Sequence, residues 1–362
     1  MPGLYIGLMS GTSMDGIDAV LVDTSDTPVL LQHCHQPFSP QLRATLLALN
    51  DPGNEELHRA ALAANALALG YATVVRTLLA QAHVTANQVA AIGCHGQTVR
   101  HRPESGYTLQ LVNGALLAEL AGICVVCDFR SRDIAASGEG APLVPAFHRA
   151  LFAHPQQSRA VVNIGGIANI TSLPARGDVI GFDCGPGNVL MDGWIMAHQN
   201  VAYDAGGSWA AQGAALPELL ERLLAHEFFE RPPPKSTGRD LFNLKILEAV
   251  LAGNERPVDV QATLCDLTAT AIARALDAHC TDAREVYLCG GGARNNSLRK
   301  RLAALLPDRH VALTDELGIA AESVEAAAFA WLAHRTLSGK PGNLPAVTGA
   351  RGPRVLGAIY PA

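Results

Sequence analysis

The feature that most constrains this chain is a pattern that occurs twice. An apolar run, Leu4 to Met9, ends in a polar glycine turn and is followed by a second run, Ile17 to Asp23, a further turn, a third run, Val29 to His33, and helical periodicity from about Pro40. The same order returns after residue 159: a strand at Ala160 to Ile164, a turn at Gly165 and Gly166, strands at Ala168 to Leu173 and Val179 to Asp183, and a helix from Val189. Strands alternating with helices after each hairpin predict a duplicated α/β fold with mixed β-sheets flanked by helices. At 362 residues the chain also exceeds what one hydrophobic core usually serves. The boundary is expected near Ala150, giving lobes 1–150 and 151–362, with the C-terminal helix able to pack back on the first.

Other elements follow from periodicity. A long helical stretch spans Glu55 to Ala82, a strand ends in AIGCHGQT, and the passage DFRSRDIAASGEGAPLVP reads as loop. Helices are expected near Pro217 to Glu230 and Val258 to His279, then a strand, VYLCGGG, entering a helix at about Asn295, and an Ala-rich helix from Ile319 to Leu337. The three prolines of RPPPKSTGRD, residues 231–240, exclude helix interior there.

A formal net charge of -6 argues against nucleic acid or an anionic membrane as the main partner. No Lys or Arg precedes Arg43, so the start lacks the basic region of a secretory signal. Uncharged stretches such as Ala60 to Val75 are mixed with Asn, Gly and Thr and read as too short to span a bilayer. A cytoplasmic location is expected, and with it thiols rather than disulfides for the eight scattered cysteines. Cys124 and Cys127 flank two valines of a buried strand and face opposite sides, so they read as structural; His33 and His35 read as surface strand residues rather than ligands.

The segment IGLMSGTSMDGID gathers Gly11, Gly16, the hydroxyls of Ser10, Thr12 and Ser13, and Asp15 in one tight turn. Gly-rich turns present successive backbone amides to anions, and hydroxyls add donors, so phosphate binding is expected here unless the glycines merely serve the turn. NIGGIANI repeats the design in the second half, and Gly290 to Gly292 in LCGGGARNN end a strand and enter a helix, where a base or ribose can approach the backbone. A P-loop is absent, because the Lys-Ser-Thr of PKSTG lacks a glycine five residues earlier. In IGFDCGPGNVLMD, Asp183 closes an apolar strand before a Gly-Pro-Gly turn. A carboxylate so held can act as general base, the alternative being that it only accepts turn amides.

Taken in order, GLMSGTSMDGID, HGQT, DFR, GAPLVPAFH, NIGGIANI, GFDCGPGN, KSTGR, CGGGARN and VTGARGPRVLG span nearly the whole chain. Together they resemble the anhydro-N-acetylmuramic acid kinase family. The resemblance implies a two-lobed actin/hexokinase-like (ribonuclease H-like) fold closing over ATP and sugar, a homodimer, and a role in recycling cell-wall fragments. Its reaction opens the 1,6-anhydro bond with water and phosphorylates O6, giving N-acetylmuramic acid 6-phosphate.

By motif, the resemblance places Gly11, Thr12, Ser13, Met14, Asp15, Gly16, Ile17 and Asp18 on the ATP phosphates, with Gly165 and Gly166 opposite. It places Gly290, Gly291, Gly292 and Asn295 near adenosine, and His95, Gln97, Thr98, Arg130 and Glu325 on the sugar. For Glu325 the rival is a solvated helix carboxylate; for His95 and Arg130 it is a structural hydrogen bond. Mg²⁺ is expected mainly on ATP oxygens and waters, with no direct protein ligand assigned. Ser137 and Glu139 depart from the family's usual Gly and Gln, which puts an extra negative charge near the sugar or in solvent. The rival readings are a same-fold kinase for another sugar or small acid, a non-catalytic nucleotide-dependent sugar sensor, and a metalloprotein built on scattered His and Cys.

Overall fold

The computed structural model describes residues 3–11, 14, 16–238 and 241–362. Its strands, in chain order, are β1 (Leu4–Met9), β2 (Gly16–Asp23), β3 (Val29–Pro37), β4 (Val89–Cys94), β5 (Gln97–Arg102), β6 (Tyr107–Leu111), β7 (Val125–Cys127), β8 (Arg159–Ile164), β9 (Ile167–Leu173), β10 (Ile180–Pro186), β11 (Glu285–Cys289), β12 (His310–Leu313) and β13 (Ala358–Tyr360). Two compact units result: Met1–Leu151 with Ser323–Ala362, and Phe152–Glu322.

The first unit holds a sheet of order β13-β7-β4-β1-β2-β3, the second a sheet of order β10-β9-β8-β11-β12. In each, the leading strand lies centrally. It pairs antiparallel with a hairpin partner on one side and parallel with a returning strand on the other. The repeated order is the duplicated α/β arrangement expected from the doubled sequence pattern, and it agrees with the actin/hexokinase-like architecture that the family resemblance implies. β1 is buried from Tyr5 to Met9, as a central strand covered on both faces must be, whereas β3 alternates exposed and covered residues along its length, as an edge strand does.

The segment from Ser323 onward clusters with the first unit, and two glycines explain why. Gly7 and Gly93 are register partners on β1 and β4. A Cβ on Gly7 would stand 1.8 Å from the Ala326 carbonyl oxygen, and one on Gly93 2.0 Å from that of Phe329. The helix Val324–Leu337 therefore rests backbone to backbone on these strands, with small Ala residues at the contact. This helix starts later than Ile319. Turns at Thr314–Leu317 and Ala321–Ser323 precede it, separated by Gly318 in the left-handed region at φ 87.

The helix Glu56–Ala82 is long and apolar enough, by length and composition, to cross a membrane, contrary to the reading of its central stretch as too mixed. Its Leu67, Tyr71, Val74 and Leu78 are fully buried in the first unit's core. The polar hairpin of β5 and β6, a separate two-stranded sheet, was not anticipated. Cys127 is buried in β7, and burial with Asp128 nearby pushes its thiol up to about 12, so it is not a reactive cysteine.

Candidate active site

In the second unit, Asp183 lies on β10 opposite Asn169, and the register slips between Asp183 and Gly185. Such a bulge re-aims side chains, and Gly185, at φ 152, tolerates no Cβ because one would meet the Phe229 ring at 2.9 Å. The Pro-rich loop closes on this point. Asp183 N donates to the Lys235 carbonyl at 3.0 Å, and Thr237 N donates to Asp183 Oδ2 at 2.9 Å. Asp183 keeps partial contact with solvent. Burial nonetheless pushes its carboxyl up to about 6, against the opposing pull of the Thr237 amide. A carboxylate in that range is mostly ionised at neutral pH yet basic enough to take a proton.

The β8–β9 turn is tied to the Gly-Pro-Gly segment. Gly165 O accepts from Asn188 N at 2.8 Å, and Gly166 O accepts from Gly187 N at 2.9 Å and Val189 N at 3.1 Å. Gly187 is required, since its Cβ would stand 2.2 Å from Gly165 O, while the outer sides of Gly165 and Gly166 meet nothing closer than 3.5 Å. Of the third cluster, Gly290 and Gly292 are glycines for packing: a Cβ would meet Asn163 Oδ1 or Ile164 Cγ2, each at 2.3 Å. Gly291 opens on free space. Asn295, expected at adenosine, spends its Oδ1 capping the helix Asn296–Leu305 through Leu298 N.

In the first unit, Thr12, Ser13 and Asp15 of the phosphate hairpin lie outside the described residues. Gly11 O accepts from Gln97 Nε2 at 3.2 Å, which joins the hairpin to the HGQT strand. Gly16 lies where a Cβ would come 2.4 Å from Gln36 O, and the Ile17 side chain is buried in the core, as is Met14. Asp18 faces β3 rather than standing alone. His33 Nε2 and His35 Nδ1 reach its Oδ1 at 3.2 and 3.0 Å, so these partly exposed strand histidines are the partners of Asp18. Burial works against the Asp18 anion, but the two histidine hydrogen bonds outweigh it and hold the carboxyl below its ordinary range.

Arg130 donates to His95 Nε2 from Nη2 at 2.9 Å and to the Gly140 carbonyl from Nη1 at 2.8 Å. Burial lowers its pKa to about 10, with Glu325 and Asp133 acting in the opposite direction. Glu325, half-buried, thus lies within electrostatic reach of Arg130. Burial, then Arg130, drives His95 down to about 3, so it is a neutral imidazole whose Nε2 accepts and whose Nδ1 carries the proton. Among the described residues that Nδ1 has no partner, and neither has the buried Gln97 Oε1. Thr98, in β5, accepts from Gln110 Nε2 at 3.1 Å.

Sequence reasoning gave Asp133 no role, yet it organises this corner. Fully buried, its carboxylate accepts from Gly140 N at 2.9 Å, Asn343 Nδ2 at 2.6 Å and Thr348 Oγ1 at 2.8 Å. The joint occurrence of the DFR and VTGARG motifs was the available signal. Ser137 has φ 67, the region glycine favours, and both it and Glu139 are exposed, so the extra charge faces water. Thr237 and Lys235 had likewise been noted only as part of KSTGR. Among the described residues no group of three or more His, Cys, Asp or Glu side chains is arranged to hold a metal, and the metalloprotein reading gains no support.

A family model described as anhydro-N-acetylmuramic acid kinase matches residues 3–362. A protein named anhydro-N-acetylmuramic acid kinase from Nitrosospira multiformis is 58% identical over 361 residues, 99% of each chain. One of the same name from Nitrosomonas europaea is 56% identical over 361 residues, again 99% of each chain. Component A of (R)-2-hydroxyglutaryl-CoA dehydratase from Acidaminococcus fermentans superposes with a TM-score of 0.50 at 13% identity, over 90% of this chain and 96% of that one. That last likeness shows the fold alone.

Proposed function

The chain belongs to the anhydro-N-acetylmuramic acid kinase family, and from that premise we propose how its own residues carry the reaction. The enzyme is an ATP-using sugar kinase of cell-wall recycling, acting on 1,6-anhydro-N-acetylmuramic acid to give N-acetylmuramic acid 6-phosphate. The observation that carries the mechanism is the Asp183 carboxylate, clasped by the Thr237 amide at 2.9 Å and raised to about 6.

Hydrolysis of a glycosidic bond ordinarily needs two carboxyl groups, one of them an acid that protonates the departing oxygen. Here a phosphoryl group takes the place of that proton. Asp183 removes a proton from water as its oxygen bonds to the anomeric carbon, the bond from that carbon to O6 breaks, and O6 takes the γ-phosphoryl group, releasing ADP. One carboxylate therefore suffices.

Gly165, Gly166 and Gly291, whose outer sides are open, suit the close approach of a polyphosphate and nucleoside. Mg²⁺ would be carried mainly on the phosphate oxygens and waters, where it would supply charge neutralisation for the transfer. Arg130, charged and half-buried, suits the lactyl carboxylate of the sugar, and the His95 Nδ1–H offers a neutral donor beside it. A homodimer in the cytoplasm belongs to the same reading.

The test is incubation with 1,6-anhydro-N-acetylmuramic acid and Mg-ATP in ¹⁸O-labelled water, followed by product mass. The expected product gains one phosphate and one labelled oxygen. Phosphorylation without label, or no product while ATP still binds, would overturn the coupled mechanism.

A further inference from the structure

We infer that the Thr237 hydroxyl is a second catalytic group, holding the attacking water against Asp183. The inference rests on the function proposed above and deepens it. Thr237 is the residue whose amide grips Asp183 Oδ2. Its Oγ1 is three bonds from that nitrogen, which keeps the hydroxyl within about 6 Å of the carboxylate oxygen. Yet Oγ1 is buried and, among the described residues, has no hydrogen-bond partner. A buried hydroxyl left unpaired costs stability, and such groups persist where a water or ligand completes them.

The backbone that carries this hydroxyl is held on both sides. The Lys235 carbonyl accepts from Asp183 N, and the Lys235 ammonium donates to the Phe228 and Phe229 carbonyls at 3.1 and 3.4 Å while lying 4.7 Å from the centre of the Phe228 ring. Residues on both sides of Ser236 are thereby fixed to β10 and to the turn that precedes the loop.

The chemistry asks for a group of this kind. An attacking water has two hydrogens, and Asp183 accepts one of them as the base. If Oγ1 accepts the other, both hydrogens are directed into the protein and a lone pair is left pointing outward, toward carbon. The proton ends on Asp183, and Thr237 changes neither charge nor bonding.

Two variants separate this role from a structural one. Thr237→Val keeps the shape and the backbone amide and removes only the hydroxyl; Thr237→Ser keeps the hydroxyl. With wild-type turnover of the anhydro sugar as reference, valine is expected to lower kcat about tenfold or more, leave KM for ATP unchanged and keep the acid limb of the rate profile in place. Serine should stay within about threefold of wild type. Valine at wild-type kcat, or serine falling as far as valine, would overturn the inference. Should valine fail to fold, Thr237→Ala is read in the same way. A wild-type enzyme inert toward the anhydro sugar is a separate outcome, and it would remove the parent reading instead.

Discussion

Replacing Asp183 by Asn should kill the enzyme and stabilise the protein. In the folded chain the carboxyl titrates near 6, against an ordinary value of 3.8. Below pH 4 both folded and unfolded chains carry the proton, and the site makes no difference. As pH rises toward 6, the unfolded chain releases its proton while the folded chain retains it, so stability falls until the folded carboxyl also ionises. At about 1.4 kcal/mol for each tenfold change in proton affinity, the ionised group costs the fold up to about 3 kcal/mol above pH 6. Residual contact of the carboxylate with water trims the expected value to about 2 kcal/mol.

Asn removes the charge and still accepts from the Thr237 amide, so Asp183→Asn should raise the unfolding midpoint by several degrees at pH 8, at about 2–4 °C per kcal/mol. Thermal unfolding from pH 4 to pH 8 reads the gap between the two proteins. It should be widest at pH 8, narrow as pH falls through 6 and close near pH 4, with no sugar phosphorylated at any pH. A gap that does not change with pH would refute the reasoning, because desolvation would then not be what raises this carboxyl.

Three further outcomes are expected. The rate profile of kcat/KM should bend near pH 6 and fall about tenfold per pH unit below it, as Asp183 takes up the proton it must lack to act as base. Gly93→Ala should destabilise the protein by about 3 kcal/mol or more in urea unfolding, because its Cβ would stand 2.0 Å from the Phe329 carbonyl oxygen and neither backbone can yield. Ser137→Gly should leave activity unchanged and stabilise the fold by about 0.5 kcal/mol, since relief at φ 67 exceeds the added freedom of the unfolded chain.

Local pattern carried much of this structure, and its limits are physical. β1 was bounded to the residue, because a fully covered strand is a plain apolar run. Asp183 was singled out because a carboxylate at the end of such a run, ahead of Gly-Pro-Gly, is conspicuous. The elevated titration of that residue was not legible, since it depends on a loop more than 50 positions away folding over it. His33 and His35 lie on the edge strand as expected, but their pairing with Asp18 was not legible, because facing it across β2 and β3 is a matter of register, which neither strand states alone. The close seat of the Val324–Leu337 helix was hidden too, because Gly7 and Gly93 each look like an ordinary glycine until the strands are paired.

That seat, with the Asp133 junction, has a consequence for how the chain is made. Asn343 and Thr348 reach Asp133 across 210 and 215 positions of sequence. Along the chain the second unit is therefore an insertion: all of 152–322 leaves the ribosome before the first unit has its last helix or the side chains that hydrogen-bond its buried carboxylate. Synthesis is vectorial, and continuous segments are free to fold as they emerge. The second unit can do so, whereas the first must wait with the β1 and β4 surface around Gly7 and Gly93 bare and apolar. Its exposure to misassociation is thus set by translation time as well as by stability, and slow codons in the stretch encoding 152–322 would lengthen it.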